Sequence, residues 1–176
     1  MNLKELLKKY VNRESAHKRE VGRYWVSDLW AIMTGELLPE NFLKDAKKNL
    51  LSCSHIQRGI EKEDTLKKIL DYNEIKYEYQ EKKELKIDDF VLVAIADFSL
   101  EDRILELKAP MILPGSIKEW HRPQLEAQHR LFNKPVYVGY VKEWNNPLFY
   151  EYRPCPMLWE IIQRELRKFH RELKKL

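Results

Sequence analysis

The chain has 176 residues, of which 44% are hydrophobic and 34% charged, with a formal net charge of +4 at pH 7. That length can bury one sizeable core, and the mild basic excess permits nucleic acid as a partner without specifying it. No apolar run reaches membrane-spanning length, no secretory pattern opens the chain, and Cys53 and Cys155 form neither a metal-ligand spacing nor a disulfide framework, so a reducing cytoplasm is the expected compartment. Residues 3–19 set Leu3, Leu6, Leu7, Tyr10 and Val11 on one helical face. Ser27 is suited to cap a short helix over 28–33, and Pro39 to open a helix running towards Leu51. Ile56, Ile60, Leu66, Ile69 and Leu70 predict a helix over 56–72. The periodicity then changes: residues 75–81, IKYEYQE, alternate as a half-exposed strand, and the charged EKKELK reads as a solvated hairpin rim. Strands follow at 91–97 and 103–108, then a loop at Pro110 and Pro114. A helix is expected over 119–132 with Pro123 near its first turn, then strands at 134–141 and 148–152, and a basic terminal helix from 159 onwards. Leu166, Phe169 and Leu173 give that last helix a packing edge. The order predicts an α/β fold, a single domain over 1–176 with a central mixed β-sheet flanked by helices. Within it lie an N-terminal helical segment (1–52), a catalytic core (53–153) and the C-terminal helix (154–176).

The stretch over 91–108, VLVAIADFSLEDRILELK, carries the chemistry. One apolar run delivers Asp97, and a second delivers Glu106 and Lys108 on one side of a strand, with Leu107 on the other. Glu-x-Lys spacing also occurs at Glu74/Lys76, Glu81/Lys83, Glu84/Lys86 and Glu172/Lys174, but only Glu106/Lys108 interrupts an apolar strand preceded by an apolar strand ending in Asp. Carboxylates in such a setting are costly unless compensated. The compensation is either a divalent cation beside a phosphodiester or an ion pair with Lys108.

Taken together, Gly59 and Glu63, then IAD ending in Asp97, then ELK at Glu106–Lys108, then QLEAQ from Gln124, resemble the PD-(D/E)XK nuclease superfamily. More narrowly, the order is similar to the RecB-like exonuclease branch, including the CRISPR-associated RecB-like exonucleases. The resemblance spans residues 24–152, and WVSDLW at 25–30 is similar to the Ser-containing entry of those nucleases. It implies a restriction-endonuclease-like core and a metal-dependent deoxyribonuclease, an exonuclease on single-stranded DNA or free ends. It implies Asp97, Glu106, Lys108 and Gln124 as catalytic residues. Glu63, Asp97, Glu106 and the Leu107 carbonyl would be ligands of Mg²⁺ or Mn²⁺. Glu63 stands where that branch carries His, with Glu61 as the neighbouring candidate, and Gln128 stands where it carries Tyr. The iron–sulfur cysteines of the CRISPR-associated relatives have no counterparts, so no iron–sulfur cluster is expected.

Lys118, Trp120, His121 and Arg122 form a basic–aromatic stretch before Gln124 that can bind phosphates and stack a base, although Trp120 equally suits loop packing. Arg58 could face the same groove, and Gln128 is a candidate nucleic-acid contact. Two other function classes fit the same residues: a catalytically inactive DNA-binding pseudonuclease, and a protein-interaction or assembly subunit.

Overall fold

The computed structural model describes residues 19–44 and 54–176. Of the helix expected over 3–19, residues 3–18 lie outside the described residues, as do 45–53 with Cys53; the helix that Pro39 opens ends at Phe42, short of the expected run towards Leu51. In chain order come β1 (Arg23–Trp25), a 3₁₀ turn (Val26–Asp28), α1 (Leu29–Thr34), α2 (Pro39–Phe42), α3 (Ser54–Tyr72), β2 (Tyr77–Ile87), β3 (Phe90–Leu100) and β4 (Ile104–Lys108). A second 3₁₀ turn (Glu119–His121), α4 (Arg122–Phe132), β5 (Val136–Tyr140), β6 (Leu148–Glu151) and α5 (Pro156–Leu173) complete it.

Among the described residues, six strands make one mixed sheet in the order β1–β3–β4–β5–β6, with β2 on the other edge of β3. Strand β3 is the axis. It runs antiparallel to β2 along its whole length, turning at Asp88, whose φ of 53° is the left-handed conformation a tight hairpin needs. On its opposite edge two strands sit in tandem. β1 pairs in parallel at Val91–Val93, and β4 pairs antiparallel only at Phe98 and Ser99. Between those contacts, residues 94–97 have no strand beside them on that edge, and the gap positions the site.

Each face of the sheet is covered. On one face Leu92, Ala94, Ala96, Ile104, Val136 and Val138 pack with Leu29, Phe42, Leu125, Ile162, Leu166 and Phe169. On the other, Phe98 and Leu107 pack with Leu66 and Leu70 of α3. The buried residues Ala96 and Phe98 are two apart on one strand yet serve opposite faces. Alternation would keep them together, so β3 changes its facing at Asp97.

Several expected elements shift for identifiable reasons. β2 extends through the charged run expected to be a hairpin rim. At an edge strand the backbone ladders while the polar side chains stay in water. Ser27 is not an N-cap: it lies inside the 3₁₀ turn, and α1 begins at Leu29 without a side-chain cap. The helix expected from 119 opens as a 3₁₀ turn and becomes α-helical at Arg122, where Pro123 fits the first turn. Pro156 likewise starts α5 ahead of residue 159. β1 was not foreseen, because three residues carry no readable alternation.

One buried carboxylate ties α4 to the segment between β6 and α5. Glu126 of α4 has no exposed surface. It accepts from Arg130 Nε at 2.8 Å, the Tyr152 hydroxyl at 2.8 Å and the Cys155 N–H at 2.7 Å. Burial and Glu126 together push the Tyr152 phenol well above its ordinary pKa. Glu126→Ala is expected to destabilise the fold by about 3 kcal/mol, because it strands a buried hydroxyl, an amide and a guanidinium. A urea-denaturation midpoint measured beside wild type checks this.

Candidate active site

Asp97 and Glu106 meet where β3 and β4 part. The rung after Phe98↔Leu105 would pair Asp97 with Glu106, but the ladder stops there. The Asp97 side chain bridges the opening instead: its Oδ2 accepts the Leu107 backbone N–H at 2.8 Å. Gln128, reaching across from α4, closes the rest of the gap. Its Nε2 donates to the Ile95 carbonyl at 3.0 Å and to Glu106 Oε2 at 2.8 Å. The other Glu106 oxygen accepts from Gln124 Nε2 at 2.6 Å and Lys108 Nζ at 2.8 Å. Gln124 also holds Lys108, whose Nζ donates to Gln124 Oε1 at 3.1 Å. The residues expected to be catalytic are thus brought together by hydrogen bonds.

Glu63 arrives from α3 on the far side of Asp97. It is 8% exposed, as Asp97 is, whereas the neighbouring candidate Glu61 faces solvent. Its Oε2 accepts from the Tyr79 hydroxyl at 2.5 Å. Gln80 Nε2 lies 3.4 Å from the same oxygen and 3.2 Å from Asp97 Oδ1. Neither Tyr79 nor Gln80 was anticipated from sequence, where both are simply members of an alternating strand. Gly59, one turn before Glu63, has open space where a Cβ would sit.

The electrostatics follow from crowding. Burial, then the charges of Glu106 and Glu63, push the Asp97 carboxyl well above the usual carboxylate range, against the pull of Lys108 and the Leu107 N–H. Burial opposes the Lys108 ammonium, but Glu106 and Asp97 outweigh it and hold its pKa above the ordinary value. Lys108 is therefore a cation at neutral pH. Its side chain is 25% exposed, against 5% for Glu106, so the cluster opens outward past Lys108.

The expected nucleic-acid contacts are scattered. Tyr140 binds the turn before α4 to the site: its oxygen accepts the Lys118 N–H at 3.1 Å and lies 2.7 Å from His121 Nδ1. Burial, aided by Lys108, lowers His121 to about 4, so it is neutral at pH 7 and supplies no charge for phosphate. Trp120 is 51% exposed with the Lys118 ammonium 5.6 Å from its ring centre, which makes it a surface aromatic and not a core one. Arg122 stands 5.9 Å from the Tyr152 ring centre and 3.8 Å from Glu119. Arg58 is half-buried on α3, with its Nε unpartnered. Gln128 is corrected: its side chain is fully buried and engaged with Glu106 and Ile95, so it cannot touch a bound strand. Cys155 is a free, half-buried thiol. No helix among the described residues is long and apolar enough to cross a membrane.

No protein-family model matches the sequence, and no curated protein matches it. Solved structures do. The fold is similar to that of SSO0001, at 17% identity and a TM-score of 0.71 over 96% of this chain and 86% of that one. It is also similar to an alkaline exonuclease, LHK-Exo, from Laribacter hongkongensis, at 14% identity and a TM-score of 0.68 over 93% of each chain. A phage-related exonuclease from Haemophilus somnus 129PT matches at 11% identity and a TM-score of 0.62, over 87% of this chain and 94% of that one. At these identities the likeness is one of fold: this chain has the mixed sheet with flanking helices seen in solved exonucleases.

Proposed function

We propose that the chain is a divalent-metal-dependent nuclease of the PD-(D/E)XK type that hydrolyses DNA phosphodiesters, acting as an exonuclease on single-stranded DNA. The observation that carries this reading is the buried Asp97–Glu106–Lys108 set at the gap between β3 and β4. The shared fold supports it, as does the fact that LHK-Exo, 15% identical in that structure, has been solved in complex with dAMP.

The residues fit Mg²⁺ or Mn²⁺. Glu63, Asp97 and Glu106 are hard oxygen donors, with the Leu107 carbonyl beside them. Burial first, and then the charges of Glu106 and Glu63, raise the Asp97 carboxyl, and a bound cation would favour its ionised form. Among the described residues no three acidic, histidine or cysteine side chains stand close enough to hold an ion as they are, so Glu63, Asp97 and Glu106 would draw together to hold one. When bound, the ion supplies Lewis-acid activation of water and neutralises charge gathering on the phosphate. Lys108 presents a fixed positive charge at the open rim, where it stabilises the transition-state phosphate. Gln124 orients Lys108 and one Glu106 oxygen, while Gln128 fixes the other from within. Lys118, Arg122 and Arg58 supply phosphate contacts, and the exposed Trp120 ring supplies a stacking surface.

End-labelled single- and double-stranded DNA incubated with Mn²⁺, Mg²⁺ or EDTA tests the reading. Cleavage is expected with either metal and none in EDTA, and Lys108→Ala and Asp97→Ala are expected to lower the rate by about 10²–10³-fold or more. Wild-type rates in either folded variant overturn the assignment. DNA binding without cleavage in any metal identifies a binding protein instead.

The same cluster governs stability without metal. The raised Asp97 carboxyl holds its proton more tightly in the folded chain than in the unfolded one. Its contribution is therefore lost as pH rises from the unfolded value near 4 through the higher folded value. In EDTA, Asp97→Asn is expected to flatten that decline and to raise Tm at pH 7–8 by a few degrees, where about 1 kcal/mol corresponds to roughly 2–4 °C. Thermal melts across pH 4–8 check the difference between the two proteins.

A further inference from the structure

We propose that the cleft between the β2–β3 turn and α5 is a second DNA contact, in which Arg164 and Arg171 hold backbone phosphates at a distance from the carboxylate cluster. The inference rests on the nuclease reading above.

The periodicity of α5 sets up the cleft. Ile162, Leu166, Phe169 and Leu173 recur at spacings of four and three and are buried in the core. Arg164, Arg167 and Arg171, spaced three and four apart, therefore share the face turned away from it. The hairpin turn at Asp88 and Asp89 stands beside this row. Together they enclose a cleft of about 290 Å³, with the buried Phe90 and His170 among its walls.

The carboxylates of the turn are already engaged. Asp88 accepts from Arg167 Nε at 2.7 Å, and Asp89 pairs with Lys174. His170, only 4% exposed, steadies this wall from within. Its Nδ1 lies 2.6 Å from the Tyr24 hydroxyl and its Nε2 lies 3.2 Å from Asp89 Oδ2. Arg164 and Arg171 remain for a ligand. Arg171 makes no ion pair among the described residues. Arg164 is 70% exposed and pairs with its chain neighbour Glu165 at 2.9 Å, an arrangement worth little in water.

Guanidinium forks match phosphate oxygens, and a row of them about 10 Å long suits a polyanion better than a single anion. DNA brings one negative charge per nucleotide along its length, and it is the substrate that the nuclease reading requires. Phe90 opens β3 and Asp97 lies near its other end, a separation of about 23 Å along the strand. DNA engaged at both places is gripped well back from the bond that is cut.

The test is binding of a labelled single strand of about 30 nucleotides, measured by fluorescence anisotropy in EDTA over a range of salt. Wild type is compared with Arg164→Gln/Arg171→Gln and with Lys168→Gln/Lys175→Gln. The lysine pair removes equal charge from exposed positions of the same C-terminal segment that do not line the cleft. The arginine pair is expected to lose about tenfold in affinity at about 100 mM salt, with a salt slope shallower by about 1.4, roughly 0.7 for each phosphate contact. The lysine pair is expected to bind within about twofold of wild type, because solvated charges off the contact are screened. Thermal melts matching wild type show that both variants are folded. Wild-type affinity in the arginine pair, or an equal loss in both pairs, makes the row a diffuse surface charge and overturns the proposal. A loss with an unchanged salt slope overturns it as well, because no phosphate contact has then gone. Folded wild type that neither binds nor cleaves DNA fails the nuclease reading itself. Wild type that cleaves, beside an arginine variant that binds normally, fails this inference alone.

Discussion

Two acidic side chains share a dry opening in a sheet, and the architecture around it serves to make that tolerable. An isolated buried carboxylate costs several kcal/mol, and here Asp97 and Glu106 face one another with Glu63 close by. The opening exists because β4 leaves β3 after two rungs. Carrying the ladder further would bury the same charges under backbone with no room for donors. Leaving the gap unfilled would strand the Ile95 carbonyl and the Leu107 N–H. The side chains of Asp97 and Gln128 take over those two backbone groups. Site and fold therefore hold each other up: the residues proposed to carry the chemistry also seal the split in the sheet.

The distribution of donors is uneven, and the unevenness is informative. Glu106 is held by three donors from three residues, one of them charged. Among the partners of Asp97 are the Leu107 N–H and the Gln80 amide, both neutral. The positive charge in the cluster lies beside Glu106, while the raised proton affinity falls on Asp97.

Much of this was legible in the residue order. Asp97, Glu106 and Lys108 stood out because each interrupts an apolar run, and burial leaves few reasons for that. Gln124 followed from the resemblance, through the QLEAQ run that it opens. The helix bearing Glu63 was visible from its apolar spacing, but its choice over Glu61 depended on which face α3 turns towards Phe98 and Leu107, a tertiary fact. Gln128 was misread as a surface contact, because an amide in a helix looks the same whether it meets solvent or a broken ladder. His121 sat among cations in sequence and is neutral in the fold, since burial beside Lys108 decides its proton and not the company it keeps in the chain. Gln80 was invisible for a related reason. Its contacts with Glu63 and Asp97 come from a reversal of strand facing, and periodicity assumes that no such reversal occurs.

Glu126 lies on α4 between Gln124 and Gln128, and its carboxylate receives the Cys155 amide that leads into α5. The helix that steadies Glu106 is therefore anchored by a segment that follows it in the chain by about thirty residues. During synthesis, β3, β4 and α4 all emerge before their tether exists. Domains settle as cooperative units once the needed contacts are available, so α4 gains this anchor only when the Tyr152 hydroxyl and the Cys155 N–H, which follow β6 in the chain, have been made.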